Sequence, residues 1–216
     1  MEISSVDVKN LREKTGAGMM DCKKALIETK GDFESAVDFL RRKGLADVAK
    51  KQTRIASEGT IGSYVHNGKI GVMVEVNCET DFVARNEEFQ RFVKDVSMHI
   101  AASDTRFVRA EEMDAEFVAR EKSIYEAQLR DQKKPENMIV KIVEGKIKKL
   151  ASEICLLDQK FIRNPDITIQ QLINELTLKI GEKITVRRFV KYTRGEGLEK
   201  RQDNLADEVA KMTGQA

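Results

Sequence analysis

Tryptophan is absent from this chain, proline and histidine occur twice each, and the three cysteines stand far apart at Cys22, Cys78 and Cys155. Each scarcity closes off a class of protein. Two prolines and thirteen glycines in 216 residues argue against a low-complexity linker or a disordered tract. An odd number of cysteines with no CxxC pair, beside only His66 and His99, leaves a zinc site to be assembled from scattered residues. Reduced thiols, no metal and no cofactor are expected. No apolar run is long enough to cross a bilayer, and "MEISSVDVKN" lacks the basic-then-apolar order of a signal peptide. The expectation is a cytoplasmic protein with no membrane partner. Nor does charge of one sign dominate: 38 basic against 36 acidic residues give +2, where a protein that coats nucleic acid needs a large basic excess.

Catalytic signatures are missing as well. There is no GxGxxG, GxxxxGK[ST], HExxH or GxSxG. "TGAG" at residues 15–18 joins two helical stretches and lacks the strand that a phosphate-binding loop follows. Cys78 has no basic neighbour to make it a thiolate, and His99, next to the apolar Ile100, reads as structural. No enzyme is expected.

What is present reads as α+β. Residues 1–44 show three short helices: the first capped by Ser4 or Ser5 and carrying Val8 and Leu11, the second running to Lys30, the third capped by Asp32 and closed by Gly44. Residues 45–57 form a basic connecting helix or linker. A core follows over residues 58–195. Asn67-Gly68 predicts the tight turn of a β-hairpin, with Ile70, Val72, Val74 and Val76 alternating along one face. Phe89, Phe92, Val93, Val96 and Ile100 form the stripe of a helix that starts near Asn86. Residues 114–157 read as a projecting helical hairpin, with Pro135 in the first turn of its return arm. Thr168 caps a further helix ended by Gly181, and "KITVRRFVKYT" reads as a third strand joining the small sheet. Residues 196–216 form a terminal arm whose helix, about residues 203–212, puts Leu205, Val209 and Met212 on one face.

Two stretches fit these periods poorly. In "EVNCETDFVARNEEF" the strand pattern stops at Val76 and the helix stripe starts at Phe89, leaving Phe82 between them. Phe82 precedes Phe89 by seven residues, so the stripe can extend back and bury it, and spacing alone leans that way. The other reading is an exposed aromatic anchor flanked by Asp81 and Arg85, residue types that dominate protein interfaces. In "GAGMMDCKK", Met19 and Met20 point about 100° apart on a helix, so one is exposed or the apolar face is wide.

"LREKTGAGMMDCKKAL" and "EVNCETDFVAR" together resemble the signatures of bacterial and organellar elongation factor Ts. The likeness continues through "GSYVHNGKIGV", "MHIAAS", "EGKIKKL" and "VRRFVKY", over nearly the whole chain. The resemblance implies a three-helix, ubiquitin-associated-like N-terminal bundle, an α/β core with a projecting helical hairpin, and a function as guanine-nucleotide exchange factor for the GTPase elongation factor Tu. It implies that Thr80, Asp81, Phe82 and Val83 form a loop that enters the GTPase near its magnesium; Asp81 is expected to orient that loop by polar contacts. Leu11, Arg12, Met19, Met20 and Lys23 are implied to dock on the nucleotide domain. Ile70, Gly71 and His99 are weaker candidates for contact with another domain. Longer members carry two core copies; one copy here implies a homodimer. The rival readings are an RNA-binding, translation-associated protein using Lys50, Lys51 and Arg54 or Lys146, Lys148 and Lys149, and a small-molecule enzyme with an unrecognised site.

Overall fold

A computed structural model describes residues 3–198 of the chain. The helix expected over residues 203–212 lies outside them. The fold is α+β, as the patterns predict.

Three helices come first: α1 (Ser5–Thr15), α2 (Met19–Glu28) and α3 (Phe33–Lys51). Ser4 accepts from the Asp7 amide and Asp32 from the Ser35 amide, so two of the three starts are capped by a short polar side chain. Gly16 ends α1 at φ +68°, where a Cβ would be strained. Val8, Leu11, Cys22, Ala25, Leu26, Ala36 and Leu40 close a small core between the three.

The expected stop at Gly44 is not there. α3 runs on to Lys51, and Gly44 is buried in its middle. A Cβ on Gly44 would lie 2.9 Å from Leu178 Cδ1. This glycine is thus the point where α3 crosses close to a later helix, and a capping glycine and a close-approach glycine look alike in sequence.

The sheet has order β1-β2-β5, all antiparallel, from β1 (Glu58–His66), β2 (Ile70–Cys78) and β5 (Thr185–Thr193). Asn67 and Gly68 both have positive φ, and the Lys69 amide donates to the His66 carbonyl, closing the turn. A single helical turn, α4 (Asp81–Ala84), and the long α5 (Glu87–Ala102) follow β2. Val72, Val74 and Val76 on one sheet face meet Phe89, Phe92, Val93, Val96 and Ile100 of α5 in the main core. Each such side chain removed from water contributes about 1.5–3 kcal/mol, which is why a three-stranded sheet holds here.

The hairpin is α6 (Ala115–Asp131) and α7 (Glu136–Ile154), with Pro135 at the start of the return arm. Leu129, Ile139 and Val143 seal it toward the tip, while Ile154 packs with Phe107 and Phe117 at its base. β3 (Lys160–Phe161) and β4 (Asn164–Thr168) form a small ribbon that the sequence patterns did not predict, because a two-residue strand and a five-residue one holding Pro165 show no apolar alternation. α8 (Ile169–Ile180) opens with a capping box between Thr168 and Gln171 and ends at Gly181 in the left-handed region.

Candidate functional site

β2 ends at Cys78, and within eight residues the chain starts a helix twice. Thr80 is extended and its hydroxyl accepts from the Val83 amide, starting α4. Asn86 is extended again (φ −66°, ψ 136°) and caps α5 through the Glu88 amide at 2.8 Å. That second cap breaks the helical path, so the stripe of α5 cannot continue back to Phe82. Within α4, Ala84 is buried and Val83 packs against the main core. Successive helical residues point about 100° apart, and Phe82 is left outside, 82% exposed. Of the two readings of Phe82, burial as an extension of the α5 stripe is therefore overturned.

The turn is held from below. Glu182, at the α8–β5 connection, spreads its carboxylate over residues 79 and 80. Its Oε2 accepts from the amides of Glu79 at 3.1 Å and Thr80 at 3.0 Å, and its Oε1 accepts from the Thr80 hydroxyl at 2.8 Å. Glu79 reciprocates by accepting from the Lys183 amide at 2.6 Å, and it also pairs with Arg54 at 3.3 Å. The Lys183 amide, then Arg54, hold the Glu79 carboxyl below the usual carboxylate range. Cys78 Sγ donates to the Thr80 carbonyl, and burial, then the nearby Glu182, push this thiol up to about 11. It is a packing residue rather than a thiolate. Asp81 bonds Arg85 on its own turn at 3.0 Å, an exposed pair of small energetic weight. The polar contacts that tie the start of the turn, residues 79 and 80, to the body of the protein come from Glu182, not from Asp81 as expected. No local sequence signal marks Glu182, which lies 102 positions from Thr80.

At the other end of the chain, Met19 and Met20 open α2 and both are exposed, 42% and 75%. The wide-face reading, with both methionines buried, does not hold. Arg12 and Lys23 are exposed as well. Leu11 is a correction. It is fully buried in the three-helix core, so it supports the docking face from beneath and does not form part of it.

Ile70 and Gly71 are half-buried at the hairpin-turn end of β2, the end opposite Cys78 and the Phe82 turn. His99 faces inward and drops out of the contact set. The Ile162 amide donates to its Nδ1 at 3.3 Å, so Nε2 carries the proton and donates to Gln159 Oε1 at 2.9 Å. Burial lowers its pKa from the usual 6.5, opposed in part by the Gln159 bond. The sign follows from linkage. Below about pH 6.5 the unfolded chain protonates this histidine before the folded chain does, so its contribution to stability is lost as pH falls. Urea melts at pH 7.5 and 5.5 are expected to show a fall in midpoint that His99→Gln reduces; an equal fall in parent and variant would contradict the burial of a neutral imidazole.

The basic clusters are largely engaged within the chain. Lys51 donates to the Gly181 carbonyl, Arg54 pairs with Glu79, Lys146 lies over the Tyr125 ring at 4.8 Å, and Lys149 pairs with Glu153. No helix among the described residues is long and apolar enough to cross a membrane.

Comparison with known proteins follows the same lines. Residues 45–196 match the family model described as Elongation factor TS. A protein named Elongation factor Ts from Geobacter sulfurreducens is 58% identical over 99% of this chain and 100% of its own length. Its namesake in Geobacter metallireducens is 57% identical over the same shares, and that of Desulforamulus reducens 59% over 97% of each.

Proposed function

The chain belongs to the elongation factor Ts family, a family of translation elongation factors, and from that premise we propose that it is the guanine-nucleotide exchange factor of elongation factor Tu. The observation that carries this reading is Phe82: a large aromatic side chain presented to solvent from one helical turn whose base is fastened by Glu182. GDP is held in such a GTPase through its phosphates and Mg²⁺, charges that depend on fixed geometry. An apolar wedge that gains contact only when the supporting elements of that site have moved favours the displaced state. Reciprocity then follows. Whatever factor the protein takes off GDP affinity, GDP takes off affinity for the protein, so the empty GTPase is the preferred partner and GTP later expels the factor. The protein supplies binding energy and no chemistry.

In this reading residues 1–44 are the docking module, with Arg12, Met19, Met20 and Lys23 on its contact face, and the core presents Thr80, Asp81, Phe82 and Val83. Ile70 and Gly71 remain secondary contacts. The site of action is the cytoplasm. The deciding experiment is release of labelled GDP from purified elongation factor Tu with and without this protein. Acceleration at substoichiometric amounts is expected, and no acceleration would reject the reading.

We further propose a homodimer. One sheet face is covered by α5; the other presents Ile61, Val65, Met73, Val190 and Tyr192, all exposed and on adjacent strands. Glu75 with Arg187 and Arg188 rims this face with charge. A contiguous apolar patch with a polar rim fits an isologous partner, a second copy of the same face. No cysteine lies in β5, so the pairing needs no disulfide there. Light scattering at micromolar concentration is expected to give twice the mass of one chain, and Met73→Lys to give the single mass. A monomer for the parent protein would sink the proposal.

A further inference from the structure

We infer that Glu182 is a positioning residue for nucleotide exchange, a carboxylate that sets where Phe82 points without itself touching the GTPase. The inference rests on the exchange reading above and concerns how this chain's own residues deliver it.

The turn carrying Phe82 cannot hold itself in place. α4 has four residues, and its internal cap, from the Val83 amide to the Thr80 hydroxyl, is long at 3.4 Å. A single helical turn is unfavourable alone because several residues are ordered for very few bonds. Phe82 contributes no packing of its own. The direction of its side chain is therefore set from both ends of the turn: Val83 and Ala84 pack into the core on one side, and on the other the three bonds to Glu182 fix residues 79 and 80. Bonds to a carboxylate are among the stronger hydrogen bonds, and here one carboxylate replaces the strand pairing that ends at Cys78.

Glu182 is itself well placed to serve as a reference point. It follows Gly181, whose carbonyl accepts from Lys51 Nζ at 2.7 Å. It precedes Lys183, whose Nζ donates to the carbonyls of Gln52 at 2.7 Å and Arg54 at 2.9 Å. The connection that grips the Phe82 turn is thus fastened to the C-terminal end of α3, and the N-terminal part of α3 belongs to the docking bundle. Both proposed contact regions are referred to one hydrogen-bonded junction. Docking through Met19 and Met20 then brings Phe82 to a defined place, which is what a wedge needs if its contact energy is to fall on the displaced state.

Two substitutions separate geometry from charge. Glu182→Ala removes all three bonds. Glu182→Gln keeps an oxygen for the two amides and offers its amide to the Thr80 hydroxyl, which can accept. GDP release at saturating factor is expected to fall by about tenfold or more in Glu182→Ala, since misplacement of a contact by an ångström is enough for that. The half-saturating concentration should stay near the parent value, and Glu182→Gln should recover most of the rate. On a Phe82→Ala background, Glu182→Ala should slow release no further, because residues acting through one side chain are not additive. Hydrogen exchange gives the structural counterpart: the Glu79 and Thr80 amides lose protection in Glu182→Ala while β2 keeps its own.

Parent-like release by Glu182→Ala at saturation, where Phe82→Ala is slow, would overturn the inference, as would additive loss in the double variant. If Glu182→Ala does not fold, Glu182→Asp keeps the charge but draws the carboxylate back by one methylene from the Glu79 and Thr80 amides and the Thr80 hydroxyl; a loss of release at parent-like half-saturation supports the inference and an unchanged rate overturns it. If the parent protein fails to accelerate GDP release at all, the exchange reading falls, and protection of the Glu79 and Thr80 amides alone decides whether Glu182 holds the turn.

Discussion

Phe82→Ala is expected to leave the protein as stable as its parent while slowing GDP release at saturating factor by roughly ten- to a hundredfold. The rate follows from area. Burying a phenylalanine side chain is worth about 1.5–3 kcal/mol, and each 1.4 kcal/mol or so is a factor of ten. If Phe82 finds its contact only in the displaced GTPase, that energy appears as faster GDP release. Stability follows from exposure. An 82% exposed ring has little to lose on truncation, and exposed substitutions usually stay within about 0.5 kcal/mol. Phe89, seven positions on, is the control. It is fully buried against the sheet, so Phe89→Ala should cost about 3–5 kcal/mol and leave release by the remaining folded protein unchanged. Denaturant melts and single-turnover release on both variants test the pair. An unchanged rate for Phe82→Ala at saturation would remove the wedge.

Deletion of residues 1–31 is expected to raise the half-saturating concentration for exchange by roughly a hundredfold or more, with a folded core remaining. Buried Met and Arg anchors at interfaces are each capable of about 2 kcal/mol, and the deletion takes away the two exposed methionines together with Arg12 and Lys23. The position of the cut matters. A boundary at Gly44 or Lys50 would strip α3 from α8, because Gly44 lies against Leu178 and Lys51 bonds the Gly181 carbonyl. A cut before Asp32 keeps the cap of α3 and loses only α1 and α2, at the cost of exposing Ala36 and Leu40. Unchanged half-saturation in the deleted protein would show that these residues do not dock. A rate that recovers fully at high concentration would show that Phe82 still reaches its target, and so tests the division into a docking module and an acting core.

The local signals were legible because they are made by residues a few positions apart. Ser4, Asp32 and Thr168 cap helices through amides three residues on, and Asn67-Gly68 closes its turn within four residues. The stripe of α5 and the alternation of β2 mark burial because one period repeats several times. For Leu11 the spacing from Val8 indicated the core, while the family motif drew it into the docking set; the structure sides with the spacing. His99 was legible in the same way, as a polar residue beside a core position.

The composition, the caps, the hairpin turn and the two long motifs were enough to determine the α+β class, the order of the long helices and of the three strands of the main sheet, and the family. All of these rest on interactions short in sequence or on residue identity itself. What Phe82, Gly44 and Glu182 do was decided only by the tertiary structure. The seven-residue spacing of Phe82 from Phe89 suits a helix, and it took the extended backbone of Asn86 to break that path and leave the ring in water. Gly44 has its meaning from Leu178, and Glu182 from two amides and a hydroxyl more than a hundred positions earlier. Burial and long-range hydrogen bonds depend on which elements meet in space, and a one-dimensional period carries no record of that.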